Sequence, residues 1–191
     1  MTKKFRAKAP VRTFTKSYKD YTTYKPHLQA DFNKRCGYTD CSDLWFGGVV
    51  TFHIDHHKPW KKYPKEPNLK TDYSNLVYSC SYVNILKSDD IGAYIDPCDV
   101  DYNDHFERGK SGEILPIKKS KQANYMYKKL KLYLRRYEII WTLDNLFQKM
   151  QKMEVMIAKQ TNQKQIKELK ILQGELAGLF VKQLQYLGAN Q

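Results

Sequence analysis

The chain has 191 residues, of which 41% are hydrophobic and 14% aromatic, enough for a folded domain with an appendage, so the composition excludes a disordered chain. The net charge of +13 indicates a polyanionic partner, nucleic acid first of all, with a merely soluble basic protein as the alternative. No secretory signal or membrane-spanning segment is visible, and the four cysteines are too few for a disulfide scaffold. We therefore expect a cytoplasmic protein with no membrane partner.

The charge is divided unevenly along the chain. Residues 1–35 carry a net charge of +8, residues 36–117 a net charge of −5, and residues 118–191 a net charge of +10. An acidic centre can hold a cation while basic flanks attract a polyanion. This distribution favours a metal-dependent phosphodiesterase over a simple binding module.

The first segment, residues 1–35, is predicted to be a basic arm followed by a short helix. Residues 1–26 are rich in Thr, Tyr and Lys, and we expect an arm with little regular structure that folds onto the body or onto a partner. Residues 27–34 show a short helical pattern, because Leu28 and Phe32 are four positions apart and share one helix face.

The second segment, residues 36–118, is predicted to contain a strand, a loop, a second strand and a helix. Residues 48–56 are rich in β-branched and aromatic side chains and predict the first strand; residues 76–78 predict the second, and residues 79–87 the helix. An acidic run comes next, and a Gly-rich turn at residues 109–112 predicts a hairpin.

The third segment, residues 119–191, is predicted to form two antiparallel helices. Its first apolar seam consists of Ile139, Leu143, Leu146, Met150, Met153 and Ile157, at alternating spacings of four and three. Thr161 and Asn162 interrupt the pattern, and a second seam consists of Ile166, Leu169, Leu172, Leu176 and Leu179. Either the two helices pack against each other and against the body of the protein through this seam, or the seam forms an oligomer or partner surface.

The candidate chemistry begins in the first strand. The sequence His53-Ile54-Asp55-His56-His57 places three histidines and an aspartate within five positions. Strand alternation puts His53, Asp55 and His57 on one face, and three histidines on an ordinary core strand would be hard to satisfy. By itself, an Asp-His pair is a weak signal.

The residues beyond this strand make the pattern more specific. Asp-His-x-x-Pro is followed by a loop, then by Tyr-x-Asn-Leu and Cys-x-x-x-Asn-x-x-Lys. The order resembles the ββα-metal motif of HNH endonucleases over about residues 36–90. The resemblance implies a small ββα-metal (HNH) nuclease core, which together with the predicted C-terminal antiparallel helical hairpin makes an α+β fold.

The resemblance also implies roles for individual residues. Asp55 and Asn84 correspond to the oxygen ligands of one divalent cation, Mg²⁺ or Mn²⁺. His56 corresponds to the general base and Asn75 to the asparagine that ties the loop and orients this histidine. His53 is a further candidate ligand, or a hydrogen-bonding partner behind the ligands, or simply a polar strand residue. The predicted nucleic-acid contacts are Lys58, Lys87 and Arg35.

The cysteines depart from the pattern of many HNH relatives, in which two Cys-x-x-Cys pairs bind a structural Zn²⁺. Here Cys36 and Cys41 are separated by four residues, and Val83 stands where the partner of Cys80 would be. Three thiolates do not complete a tetrahedral site, and Cys98 could be the fourth only if the chain folds back. We therefore expect buried, apolar cysteines and no structural zinc.

Together these features predict an HNH endonuclease that hydrolyses DNA. The alternatives are an RNA-cleaving HNH nuclease and a non-catalytic nucleic-acid-binding subunit of a larger complex. The overall layout resembles nuclease subunits of Septu-like bacterial antiphage systems, which implies a protein partner such as an ATPase; self-association through the helical hairpin is the alternative. We expect His57 to be exposed, and His105 to lie in a solvated acidic turn rather than in a second metal site.

Overall fold

The computed structural model describes residues 3–188, which form two compact units divided between Leu134 and Arg135. The predicted boundary after residue 118 is therefore too early, because the helix α3 (Lys121–Lys129) belongs to the first unit. Within residues 3–188, no helix combines the length and the apolar character needed to span a membrane.

The first unit is α+β and contains two small antiparallel sheets. In one of them, β2 (Phe52–His56) pairs with β3 (Leu76–Cys80), and Asp55 lies opposite Val77. Helix α2 (Ser81–Lys87) follows β3 directly and packs against both strands. This confirms the predicted order of strand, loop, strand and helix.

The first of these strands begins later than predicted. Gly47 and Gly48 have φ angles of 91° and 79°, in the left-handed region that favours glycine, and residues 48–50 form a 3-10 turn. The β-branched residues Val49 and Val50 therefore precede the strand instead of belonging to it. The turn leads directly into β2, which begins at Phe52, a residue with a fully buried side chain.

The second sheet ties the N-terminal arm to the hairpin. Its strands are β1 (Lys3–Lys4), β4 (Phe106–Arg108) and β5 (Ile114–Pro116), in the order β1-β4-β5. The hairpin is confirmed, and the arm has little regular structure, as expected: between β1 and a 3-10 turn at Tyr21–Tyr24 it contains no helix or strand. The buried Arg108 guanidinium donates hydrogen bonds to the carbonyls of Phe5, Thr39 and Gly112, at 3.4, 2.6 and 3.0 Å. The Arg108 guanidinium thus connects the arm at Phe5, the segment before the first sheet at Thr39 and the hairpin turn at Gly112.

The early helix also begins before its predicted start. Helix α1 (Lys25–Asp31) has Pro26 in its first turn, where the missing N–H costs no hydrogen bond. It ends before Asn33 and Lys34, which have φ angles of 53° and 58°. Leu28, predicted to be on its apolar face, is buried in the core.

The second unit is the predicted helical hairpin. Helix α4 (Arg135–Lys159) and helix α5 (Gln163–Gly188) pack against each other. The Arg135 guanidinium lies 5.4 Å from the centre of the Tyr186 ring, which places the start of α4 beside the end of α5, as in an antiparallel pair. Between the helices, the Gln160 side chain accepts hydrogen bonds from the backbone of Thr161 and Asn162.

The seam of α5 differs from the prediction after Leu169. Leu172 and Leu179 are 50% and 53% exposed, whereas Gln173 and Phe180 are more buried. Steps of four and three from Leu169 lead to residues 173, 176 and 180, so the helix keeps a regular seven-residue repeat. The prediction placed Leu172 and Leu179 in the seam wrongly, because its two successive steps of three residues, from Ile166 to Leu172, depart from the seven-residue repeat.

Candidate active site

A pocket of about 260 Å³ lies between the end of β2, the loop after it and the end of α2. Strand β2 contributes Asp55 and His56, and the helix contributes Asn84. The remaining lining residues are Ile54, Pro59, Trp60, Lys61, Ser88 and Asp89. The fold therefore brings together both predicted metal ligands and the predicted base. The two ligands, Asp55 and Asn84, are 29 positions apart in the sequence.

The imidazole of His56 is held in one orientation and one tautomer. Its Nε2 lies 2.9 Å from the carbonyl oxygen of Lys70. Because a carbonyl only accepts, Nε2 carries the hydrogen, and Nδ1 of the neutral ring is left as an acceptor. Burial lowers the pKa of His56 below its usual value, and the positive charges of Lys87 and Lys70 lower it further. The ring is therefore neutral and able to accept a proton near pH 7.

Tyr21, in the arm, packs edge-on against the His56 ring, with the ring centres 4.8 Å apart. No pattern in the sequence indicates this contact. An aromatic contact of this kind is worth about 0.5–1.5 kcal/mol.

We expect Tyr21→Ala to lower kcat of a reaction that uses His56 as its base by about two- to tenfold at constant KM, because the base loses one of its supports. Tyr21→Phe, which keeps the ring, should retain the parent rate. Steady-state kinetics of both variants test this role. An equal loss in the two variants would contradict ring packing as the cause.

The carboxylate of Asp55 is buried, with 3% of its surface exposed. The Tyr38 hydroxyl donates a hydrogen bond to Oδ2 at 2.5 Å, and Lys87 Nζ lies 3.1 Å from each carboxylate oxygen. Burial raises the pKa of Asp55 to about 6, although the charge of Lys87 and the Tyr38 hydrogen bond lower it in part. The carboxylate is therefore ionised at neutral pH and paired with an internal cation.

The predicted phosphate contact of Lys87 is not supported by its position. Its side chain is fully buried, and its ammonium also donates to the carbonyl oxygen of His56 at 2.8 Å. A buried ammonium held by a carboxylate and a carbonyl has no surface to offer a polyanion. Lys87 instead joins α2 to the end of β2 and balances Asp55.

Asn84 is oriented by His53. The amide nitrogen of Asn84 lies 3.2 Å from Nδ1 of His53 and donates to it. The amide oxygen makes no hydrogen bond to any other residue within 3–188, so it remains a possible ligand. His53 is exposed and does not line the pocket. Its position suits a residue that orients Asn84 better than one that binds the cation.

Asn75 holds the loop that carries the pocket wall. Its side-chain nitrogen donates to the carbonyls of Lys58 and Leu69, each at 2.9 Å, and its side-chain oxygen accepts from the backbone N–H of Lys58 at 2.8 Å. Its carbonyl also accepts from the His57 N–H. Asn75 does not line the pocket. Its contacts suit the predicted orienting role, exerted through the backbone.

The two other predicted nucleic-acid contacts lie outside the pocket lining. Lys58 has 54% of its side chain exposed, 4.0 Å from the carboxylate of Glu66. Arg35 is 27% exposed and donates to the carbonyl of Asp40 at 2.8 Å. Lys58 can therefore reach a bound polyanion from the loop, whereas Arg35 mainly closes its own turn.

Cys36, Cys41 and Cys80 are buried, and Cys98 is half-buried. Burial opposes ionisation of the Cys36 thiol, but hydrogen bonds with Cys80 and Thr39 outweigh it and lower the pKa of Cys36 to about 5. Among residues 3–188, no group of three or more His, Cys, Asp or Glu is arranged to hold a metal ion.

Of the two further histidines, His57 differs from its expected surroundings, whereas His105 follows the acidic turn Tyr102–Asp104. His57 is half-buried rather than exposed; burial lowers its pKa, and its Nδ1 is buried without a hydrogen-bond partner. Nδ1 of His105 lies 2.7 Å from the Ser120 hydroxyl at the start of α3. Neither histidine lines the pocket that holds His56.

The pocket's donor set fits a hard divalent cation in chemical type. Asp55 offers an ionised carboxylate and Asn84 a free amide oxygen, and oxygen ligands of this kind are preferred by Mg²⁺, which keeps several waters. The surroundings of Asp55 oppose it, since the carboxylate is buried, is neutralised by Lys87 and accepts a hydrogen bond from Tyr38.

No protein family model, no curated protein and no solved structure matches the chain.

Proposed function

We propose that the chain is a metal-dependent endonuclease of the HNH type that hydrolyses phosphodiester bonds of DNA. The observation that carries this proposal is the set of His56, Asp55 and Asn84 around one pocket, with His56 fixed as an acceptor by the Lys70 carbonyl. A net charge of +13 supports a polyanionic substrate and predicts salt-sensitive binding.

In the proposed reaction, His56 Nδ1 accepts a proton from a water molecule as its oxygen attacks phosphorus. The P–O3′ bond breaks, and the leaving 3′ oxygen takes a proton from solvent. Asp55 and Asn84 would hold the cation, and Lys70 and Tyr21 keep the base in position. When bound, the divalent cation supplies Lewis-acid stabilisation of the charge that develops on the phosphate.

The ends of the products test this reaction. Attack by water leaves a 5′-phosphate and a 3′-hydroxyl and requires no 2′-hydroxyl, so DNA should be cut and its fragments should be ligatable. An enzyme that cut only RNA and left a 2′,3′-cyclic phosphate would contradict both the substrate and the nucleophile. RNA cut to 5′-phosphate ends alone would favour the RNA-cleaving alternative.

The activity should be lost on acidification. His56 acts only when it is neutral, and its pKa lies below the usual histidine value. Asp55 holds a cation only when it is ionised, and its pKa is about 6. Both groups are in the active form at pH 7–8, and each is protonated as the pH falls through its pKa. We expect kcat/KM to be flat at neutral pH and to decline below about pH 6. A rate that increased on acidification would contradict this assignment.

We also propose a protein partner for the second unit, such as the ATPase subunit of a Septu-like antiphage system. Leu172, Leu179 and Tyr186 follow one another at seven-residue steps on α5 and are 50%, 53% and 39% exposed. Residues 135–188 carry nine Lys and Arg against five acids, so a second copy would be repelled and an acidic partner attracted.

This proposal is tested by co-expression with the proteins of adjacent genes and measurement of mass. A complex that is lost with Leu172→Ser/Leu179→Ser supports it. A chain that remains a monomer with all of them, or that forms a concentration-dependent homodimer through these leucines, would contradict it.

A further inference from the structure

The loop after β2 places an aromatic ring at the rim of the proposed active site. Trp60 is half-buried, begins a 3-10 turn (Trp60–Lys62) and lines the same pocket as His56 and Asn84. The preceding Pro59 is buried and restricts the approach of the backbone. The loop is further held by the Asn75 hydrogen bonds to Lys58 and Leu69. The ring is therefore presented by an anchored loop at the pocket wall.

Two ammonium groups lie over this ring in cation–π contacts. Lys61 Nζ and Lys70 Nζ lie 5.6 and 5.1 Å from the centre of the Trp60 ring, and both side chains are exposed. Lys70 is also the residue whose carbonyl holds His56. An aromatic ring beside cations is the combination by which proteins bind unpaired nucleotides: bases stack on the ring while phosphates contact the cations.

The opposite side of the pocket limits what can enter. The Lys62 ammonium lies 3.0 Å from the Asp89 carboxylate, so the loop is linked to the residues just beyond α2. The space between them, about 260 Å³, can take one nucleotide unit. In a duplex, moreover, both faces of each base are covered by neighbouring bases, so no face is available to Trp60.

We infer that the site takes single-stranded nucleic acid, with the base beside the scissile phosphate stacked on Trp60 and the adjoining phosphates near Lys61 and Lys70. This inference rests on the proposed nuclease function for the position of the scissile phosphate. Duplex DNA would be a substrate only where it is locally unpaired.

The test measures binding apart from cleavage, in protein that carries His56→Ala. Fluorescence anisotropy with Mg²⁺ present compares a labelled oligothymidine with a labelled hairpin duplex. Trp60→Leu should weaken binding of the single strand by about tenfold to a hundredfold, because one base–aromatic stack is lost. Trp60→Phe should weaken it less, and neither variant should change binding of the duplex.

Trp45→Leu is the matched control, since Trp45 is also half-buried but does not line the pocket. It should leave both affinities unchanged. An equal loss for single strand and duplex in Trp60→Leu, or no loss for either, would overturn the inference. Circular dichroism of each variant separates loss of the ring from loss of the fold.

Failure of this inference is distinguishable from failure of the proposed function. Duplex cleavage that does not depend on Trp60 would overturn the inference and leave the nuclease proposal intact. Trp60-dependent binding of single strands by a parent protein that cuts nothing would support the stacking site and overturn the nuclease.

Discussion

Replacing His56 with alanine should lower the rate of phosphodiester cleavage by about 10²–10⁴-fold, the usual contribution of a positioned general base. The effect is expected because Nδ1 is the only ring nitrogen of His56 not already bonded to the Lys70 carbonyl, and because burial keeps the ring neutral. The loss should appear in kcat, while KM for the oligonucleotide should change little, since the charges that attract the substrate remain.

His105→Ala is the matched control for this substitution. His105 is half-buried in the same unit, bonds to Ser120 and does not line the pocket. Single-turnover cleavage of a labelled oligonucleotide by the two variants compares loss of a base with loss of an ordinary histidine. If His56→Ala cut at the parent rate while retaining its fold, the base would have to be another group.

Replacing Lys87 with methionine should destabilise the first unit by about 3–5 kcal/mol at pH 7.5, because it leaves the buried Asp55 carboxylate without its counter-ion. The side chains have similar length, so packing changes less than charge. At pH 5 the loss should be smaller: the pKa of Asp55 is about 6, and a protonated carboxyl has no charge to balance. Urea denaturation at the two pH values measures both effects.

Lys62→Met provides the comparison for Lys87. Lys62 also pairs with an aspartate, Asp89 at 3.0 Å, but both side chains are about half exposed, so solvent already screens the pair. We expect little change in stability from this substitution. A loss for Lys87→Met no larger than that for Lys62→Met would show that the buried pair is not an important part of the fold.

The parts of the site that depend on short-range patterns were predictable from the sequence. Asp55 and His56 end β2, which lies in a segment rich in β-branched and aromatic residues, and Asn84 lies on the helix directly after the second strand. The order of these elements is confirmed, and each side chain lies at the pocket because β2, β3 and α2 pack together. The assignment of metal and base to these residues remains a proposal.

The parts that depend on long-range contacts were not predictable. Lys87 was expected at the surface, and only the tertiary fold shows that it is enclosed beside Asp55, a residue 32 positions earlier. Tyr21 reaches His56 because the arm folds onto the unit; the polar, basic stretch indicates an arm that folds onto the body or onto a partner, but not which residue it contacts. The sequence does contain one indication for Trp60, an aromatic residue within a lysine-rich loop. Only the fold shows that this residue lines the pocket.

The same distinction holds for the helical hairpin. Its two helices and their break were evident from apolar spacing, because such spacing reflects each helix alone. The exact seam of α5 was not, since Leu172 and Gln173 are both compatible with a helix and only packing against α4 selects between them.

The central claim is that the pocket formed by Asp55, His56 and Asn84 hydrolyses DNA with a divalent cation, and a cleavage assay with metal-stripped protein tests it most directly. Supercoiled plasmid and circular single-stranded DNA are incubated with the parent protein, His56→Ala and Asn84→Ala, with Mg²⁺, Mn²⁺ or chelator, alone and with candidate partners. We predict cleavage by the parent only when a divalent cation is added, and its loss in both variants. A parent that cuts neither DNA under any of these conditions, or variants that cut as fast as the parent, would contradict the claim.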